Sequence, residues 1–115
     1  MKQNNRLLKG SLATIILKLL NEQDRMYGYE ITKKVKALSK EALNITEGAL
    51  YPTLHKLEME GLLTVSIENI GNRPRKYYSL TKEGKKEVKT KISELTDFFE
   101  QMYNLLNLKP AFANK

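Results

Sequence analysis

The residues in this chain best suited to chemistry lie close together: Gly48, Tyr51, Pro52, His55 and Lys56. His55 and Lys56 offer N–H donors, Tyr51 offers a hydroxyl, and Gly48 and Pro52 add little bulk. That mixture suits close approach to a flat, anionic, hydrogen-bonding surface such as base edges in a DNA groove with phosphates at its rim. Arg73, Arg75 and Lys76 form a second group. From Gly71 to Lys91 there are eight basic and two acidic residues, a surplus of six, against +7 for the whole chain. Such a concentration matches a polyanion, because each neutralised phosphate releases counterions. A solvated charged turn would carry the same residues, and Lys82 to Lys91 read more simply as the outer face of a helix.

Other chemistries find less support. The chain has no cysteine, which removes disulfides, thiol catalysis and cysteine-based zinc sites. Its single histidine is His55. No carboxylate pair, nucleophile–base set or glycine-rich phosphate loop stands out, so the reading is not an enzyme, with no cofactor and no metal. The longest apolar run is Ile15–Ile16–Leu17, far short of the ~20 residues of a membrane span. The expectation is a cytoplasmic protein with no membrane partner.

The elements that must position these residues follow from periodicity. Leu8, Leu12, Ile15, Ile16 and Leu19 recur at helical intervals, ending at the polar Asn21–Asp24. A second helix spans about Tyr27 to Ser39, with Tyr27, Ile31, Val35 and Leu38 inside and Lys33, Lys34 and Lys36 off that stripe. Thr46 caps a third helix ending near Gly61, with Ile45 and Leu50 as a staple. Leu50, Leu54 and Leu57 turn inward, so Gly48, Pro52, His55, Lys56 and Met59 turn outward and Tyr51 lies on the flank. Pro52 loses a helical hydrogen bond six residues past the cap, and Gly48 should ease the crowding. Two helix-weakening residues on one outward face suggest a shape requirement.

Leu62–Glu68 and Tyr77–Leu80 read as two strands joined by a turn over Asn69–Arg75, a hairpin with a basic tip. Thr81 opens a last helix whose apolar residues Val88, Ile92, Leu95, Phe99, Met102 and Leu106 follow a heptad rhythm. A core this small cannot bury all six, so they are read as a homodimer interface. Phe98 and Phe99, with Leu95, are packing residues or, alternatively, line a pocket for a small apolar or aromatic effector. The expected fold is mainly α (α+β), a winged helix-turn-helix. Residues 1–80 form the DNA-binding domain with a two-stranded wing, 81–108 the long C-terminal dimerisation helix, and 109–115 a frayed tail.

Three stretches carry a family resemblance. They are Tyr27–Ile31; Glu47–Glu58 with Gly61–Leu63; and Arg73–Thr81 with Gly84. On these the chain resembles the PadR family of bacterial transcriptional regulators, from about Leu8 to Phe99, and its single short C-terminal helix is similar to the small subfamily. The resemblance implies a homodimeric repressor on a near-palindromic operator in double-stranded DNA, often released by a small effector. It implies contacts from Gly48, Tyr51, Pro52 and Lys56 and from Arg73, Arg75 and Lys76; Thr46 and His55 complete the candidate set from the residues alone. Two features depart from the family. Many members carry a glycine pair where this wing has Gly71–Asn72 and then Pro74. Drug-binding members stack aromatic compounds on a tryptophan, which this chain lacks, Leu95 falling at the matching position. The same residues also fit two other readings: a module that grips only nucleic-acid backbone, and an adaptor using the same fold to bind protein.

Overall fold

A computed structural model describes residues 5–108. Four helices and three strands follow in the order α1 (Asn5–Glu22), β1 (Met26–Tyr27), α2 (Gly28–Leu38), α3 (Glu47–Met59), β2 (Leu63–Ile70), β3 (Arg73–Leu80) and α4 (Lys82–Leu106). The expected tail at 109–115 lies outside the described residues.

One core joins all of these elements. Leu8, Leu12, Ile16 and Leu19 of α1 recur on one face and are buried, together with Leu17 and Leu20. They meet Ile31 and Val35 of α2, Leu50, Leu54 and Leu57 of α3, and Leu63, Tyr78 and Leu80 of the sheet. Leu38 was expected on the inner stripe of α2, but as the last residue of that helix it is 65% exposed. Tyr27 was expected there too. It precedes the helix, and its backbone N–H donates to the Glu30 carboxylate at 3.1 Å.

The sheet has three strands, not two, in the order β1–β3–β2, all antiparallel. Met26 and Tyr27 pair with Tyr78 and Tyr77. The hairpin strands run to Ile70 and Arg73, so the turn is only Gly71–Asn72. Gly71 has φ +64° and Asn72 is not in the positive-φ region, the pattern of a tight turn with glycine at its first central position. Pro74 therefore sits in a strand, opposite Asn69. Because β1 reaches no further than Tyr77, β3 has an open edge beside Pro74, where a missing N–H costs nothing.

Helix α4 is anchored at its start. Thr81 caps it by accepting from the Gly84 N–H at 3.0 Å, and donates its own hydroxyl to the Gly61 carbonyl at 2.6 Å. Gly84 comes so near the Leu62 carbonyl that a Cβ there would lie 2.2 Å from its oxygen. Val88, expected on the dimer seam, is instead buried within its own chain, and Ile92 packs against that core. Heptad spacing does not reveal whose core a residue fills, and the first two seam positions serve this domain.

Candidate nucleic-acid interface

Helix α3 is split cleanly by burial. Leu50, Leu54 and Leu57 are buried, while Gly48, Tyr51, Pro52, His55, Lys56 and Met59 are exposed. Thr46 starts the helix by accepting from the Ala49 N–H at 3.2 Å, and Glu47 places an acidic residue in the first turn. Both stabilise the unpaired N–H groups there. Pro52 lies inside the helix and leaves the Gly48 carbonyl without its helical donor. A Cβ at Gly48 would meet only the Thr46 hydroxyl oxygen, at 4.0 Å. Gly48 therefore does not relieve the Pro52 ring, as expected from sequence; its missing side chain keeps the outer surface flat.

Tyr51 is held by a glycine the sequence reading passed over. Its ring tip sits against Gly28, where an added Cβ would lie 2.3 Å from the hydroxyl oxygen. Tyr51, Gly28, Tyr27, Pro74, Arg75, Lys76 and Tyr78 line one cleft of about 360 Å³ between α3 and the hairpin. The flank of α3 and the basic strand thus open onto the same concavity.

The three wing cations are not on a loop. They lie on β3, where alternation sends them to opposite faces. Lys76 shares its face with the buried Tyr78 and Leu80, towards the helices. Arg73 and Arg75 share the outer face with Tyr77. There the Arg75 guanidinium lies 4.0 Å from the centroid of the Tyr27 ring, and Tyr27 meets Tyr77 edge to face at 5.5 Å and 79°. Arg25 covers Tyr77 at 3.9 Å and is ion-paired with Glu68. The Glu68 pairing holds the Arg25 guanidinium above its usual pKa range and the Glu68 carboxyl below its own. Arg75 is likewise held above its usual pKa range, chiefly by the neighbouring Tyr77 side chain and then by Tyr27 and Glu30. None of Arg25, Tyr27 and Tyr77 was singled out as a site residue by sequence. The strand alternation was visible, but the two-residue pairing of β1 some fifty positions upstream has no local signal.

Beyond the core, α4 carries a bare apolar face. Phe98 and Phe99 are each 51% exposed, Leu106 61% and Leu105 74%, while Leu95 and Met102 are half-buried. Leu95, Phe98 and Phe99 line one groove of about 700 Å³ with Leu7, Gly10 and Thr14 of α1. Among the described residues there is no cluster suited to a metal ion, and no helix is long and apolar enough to cross a membrane.

This arrangement of three helices, a hairpin and a long terminal helix is the winged helix-turn-helix. The family model for PadR-like transcriptional regulators matches residues 16–90, and the chain belongs to that family. It is accordingly a transcriptional regulator and not an enzyme. Among solved structures, a transcriptional regulator from Clostridium thermocellum is 33% identical, with a TM-score of 0.75 over 89% of this chain and 95% of that one. PadR of Bacillus subtilis, solved with operator DNA, is 32% identical with a TM-score of 0.62, over 69% of this chain and 45% of that one. Transcriptional regulator YqjI of Escherichia coli is 33% identical over 65% of this chain and 34% of its own length, so this chain spans about a third of it.

Proposed function

We propose that the chain binds double-stranded DNA sequence-specifically as a homodimeric repressor of a near-palindromic operator, acting in the cytoplasm. The observation that carries this reading is the shared cleft: the exposed flank of α3 and the basic strand β3 face one concavity. The outer face of α3 enters the major groove, with Gly48 and Pro52 allowing approach and His55 and Lys56 donating to bases or phosphates. Tyr51, Thr46, Lys76, Arg73 and Arg75 hold the phosphate rim. That the Bacillus subtilis relative was solved with operator DNA supports duplex DNA as the partner.

Dimerisation uses the bare face of α4 from Leu95 through Phe99 and Met102 to Leu106, without Val88. Two-fold pairing sets two α3 helices one turn of DNA apart, ~34 Å. The groove at Leu95, Phe98 and Phe99 receives a small apolar or aromatic effector. The direct test is binding by Lys56→Ala and Arg75→Ala across a salt series. Loss of affinity in both, with a shallower salt slope, is expected; unchanged affinity in both would favour the protein-binding adaptor.

A further inference from the structure

We propose that Tyr27 is a positioning residue for the DNA contact assigned to Arg75. With Tyr77 and Arg25 it builds a stack on the outer sheet face that sets the Arg75 guanidinium before DNA arrives. The inference rests on the DNA-binding reading above.

The argument begins with strand register. Glu68 stands directly opposite Arg75 on β2 and is its natural salt-bridge partner. Glu68 is instead paired with Arg25, and among the described residues Arg75 has no carboxylate within salt-bridge distance. Arg25 is itself laid on Tyr77 at 3.9 Å. The competing carboxylate is thereby occupied, and Arg75 is left without a direct carboxylate partner among the described residues. Arg75 is held by an aromatic face instead, 4.0 Å over Tyr27.

A guanidinium stacked by one face keeps its in-plane N–H donors free, and those are the donors that grip a phosphate or a base edge. Stacking also fixes rotamers of a long side chain that DNA binding would otherwise have to fix. Tyr27 is well suited to anchor this. Its backbone pairs with Tyr77 in the sheet and donates to Glu30 at the start of α2. The wing cation is thus tied to the helix-turn-helix body through one ring, and the aromatic ring is the part of Tyr27 the contact uses.

The test measures affinity for a mixed-sequence duplex long enough for two half-sites, across a salt series, with melting curves alongside. Tyr27→Leu is expected to weaken binding by about 3- to 10-fold with an unchanged salt slope, since no charge is lost. Tyr27→Phe, which keeps the ring, is expected to bind as the unaltered protein does. Arg75→Lys keeps the charge without the planar stack, does not touch Tyr27, and should match Tyr27→Leu. Arg75→Ala should reduce the slope by about one, and adding Tyr27→Leu to it should weaken binding no further. Additive losses, a Phe variant as weak as the Leu variant, or full affinity in Tyr27→Leu would overturn the positioning role while leaving DNA binding intact. An Arg75→Ala protein with unchanged affinity and slope would remove the DNA contact itself, and this inference with it.

Discussion

Adding one methyl group at Gly28 or at Gly84 should have opposite consequences, because of what each methyl would strike. At Gly84 the new Cβ would lie 2.2 Å from the Leu62 carbonyl oxygen, a backbone atom that also accepts from the Thr81 N–H at 3.0 Å. Relief requires α4 to move off the sheet by about 1 Å, since non-bonded carbon contacts sit near 3.5 Å. Overpacking of this kind costs about 1–3 kcal/mol, offset by up to about 1 kcal/mol from the better helix former. The net loss of about 1–2 kcal/mol corresponds to a melting temperature lower by roughly 5–12 °C for a domain this size. At Gly28 the methyl would meet the tip of Tyr51, a side chain already 44% exposed that can swing outward. Gly28→Ala should therefore melt within a few degrees of the unaltered protein. It should nevertheless bind DNA about 10- to 100-fold more weakly, since a hydrogen bond to a charged group is worth about 1.5–3 kcal/mol. Thermal melts followed by circular dichroism and titration of labelled duplex measure both. A Gly28→Ala protein that melts as low as Gly84→Ala, or that binds DNA at full strength, would refute the reasoning.

Three further outcomes follow from the same contacts. Thr46→Ala removes the cap on α3 and should cost about 1 kcal/mol in denaturant unfolding. Phe99→Glu with Leu106→Glu should yield a folded monomer by sedimentation, whereas a charge at Val88 should unfold the chain, because Val88 belongs to its own core. Burial pushes the Tyr78 hydroxyl above its usual pKa, with Tyr51 and Glu58 adding to the shift. The folded state then keeps a proton that the unfolded state releases above about pH 10, so stability falls as pH rises through that range. Melting across pH 9–11 should show a smaller alkaline loss in Tyr78→Phe.

How much of this was legible in the sequence depends on the range of each interaction. The Thr46 cap, the turn-forming Gly61 at φ +80° and the inward Leu50, Leu54 and Leu57 are set by neighbours a few residues away. All were readable from type and spacing. Pro74 misled because a proline in a basic stretch reads as turn, and only the open edge of β3 makes it tolerable in a strand. That error placed Arg73, Arg75 and Lys76 together on a loop, where alternation in fact divides them between two faces. Val88 misled because a heptad seam and the buried face of a lone helix share one rhythm. The stack of Arg25, Tyr77, Tyr27 and Arg75 joins β1 to a strand about fifty residues away, and no local pattern encodes that register.

The central claim is that α3 and the wing of two paired chains read one duplex sequence. Selection from a random-sequence duplex pool tests it most directly. The account predicts enrichment of a two-fold symmetric site with half-sites one helical turn apart, bound at least ~10³-fold more tightly than random DNA. A pool that binds with steep salt dependence but never converges on a sequence would contradict it.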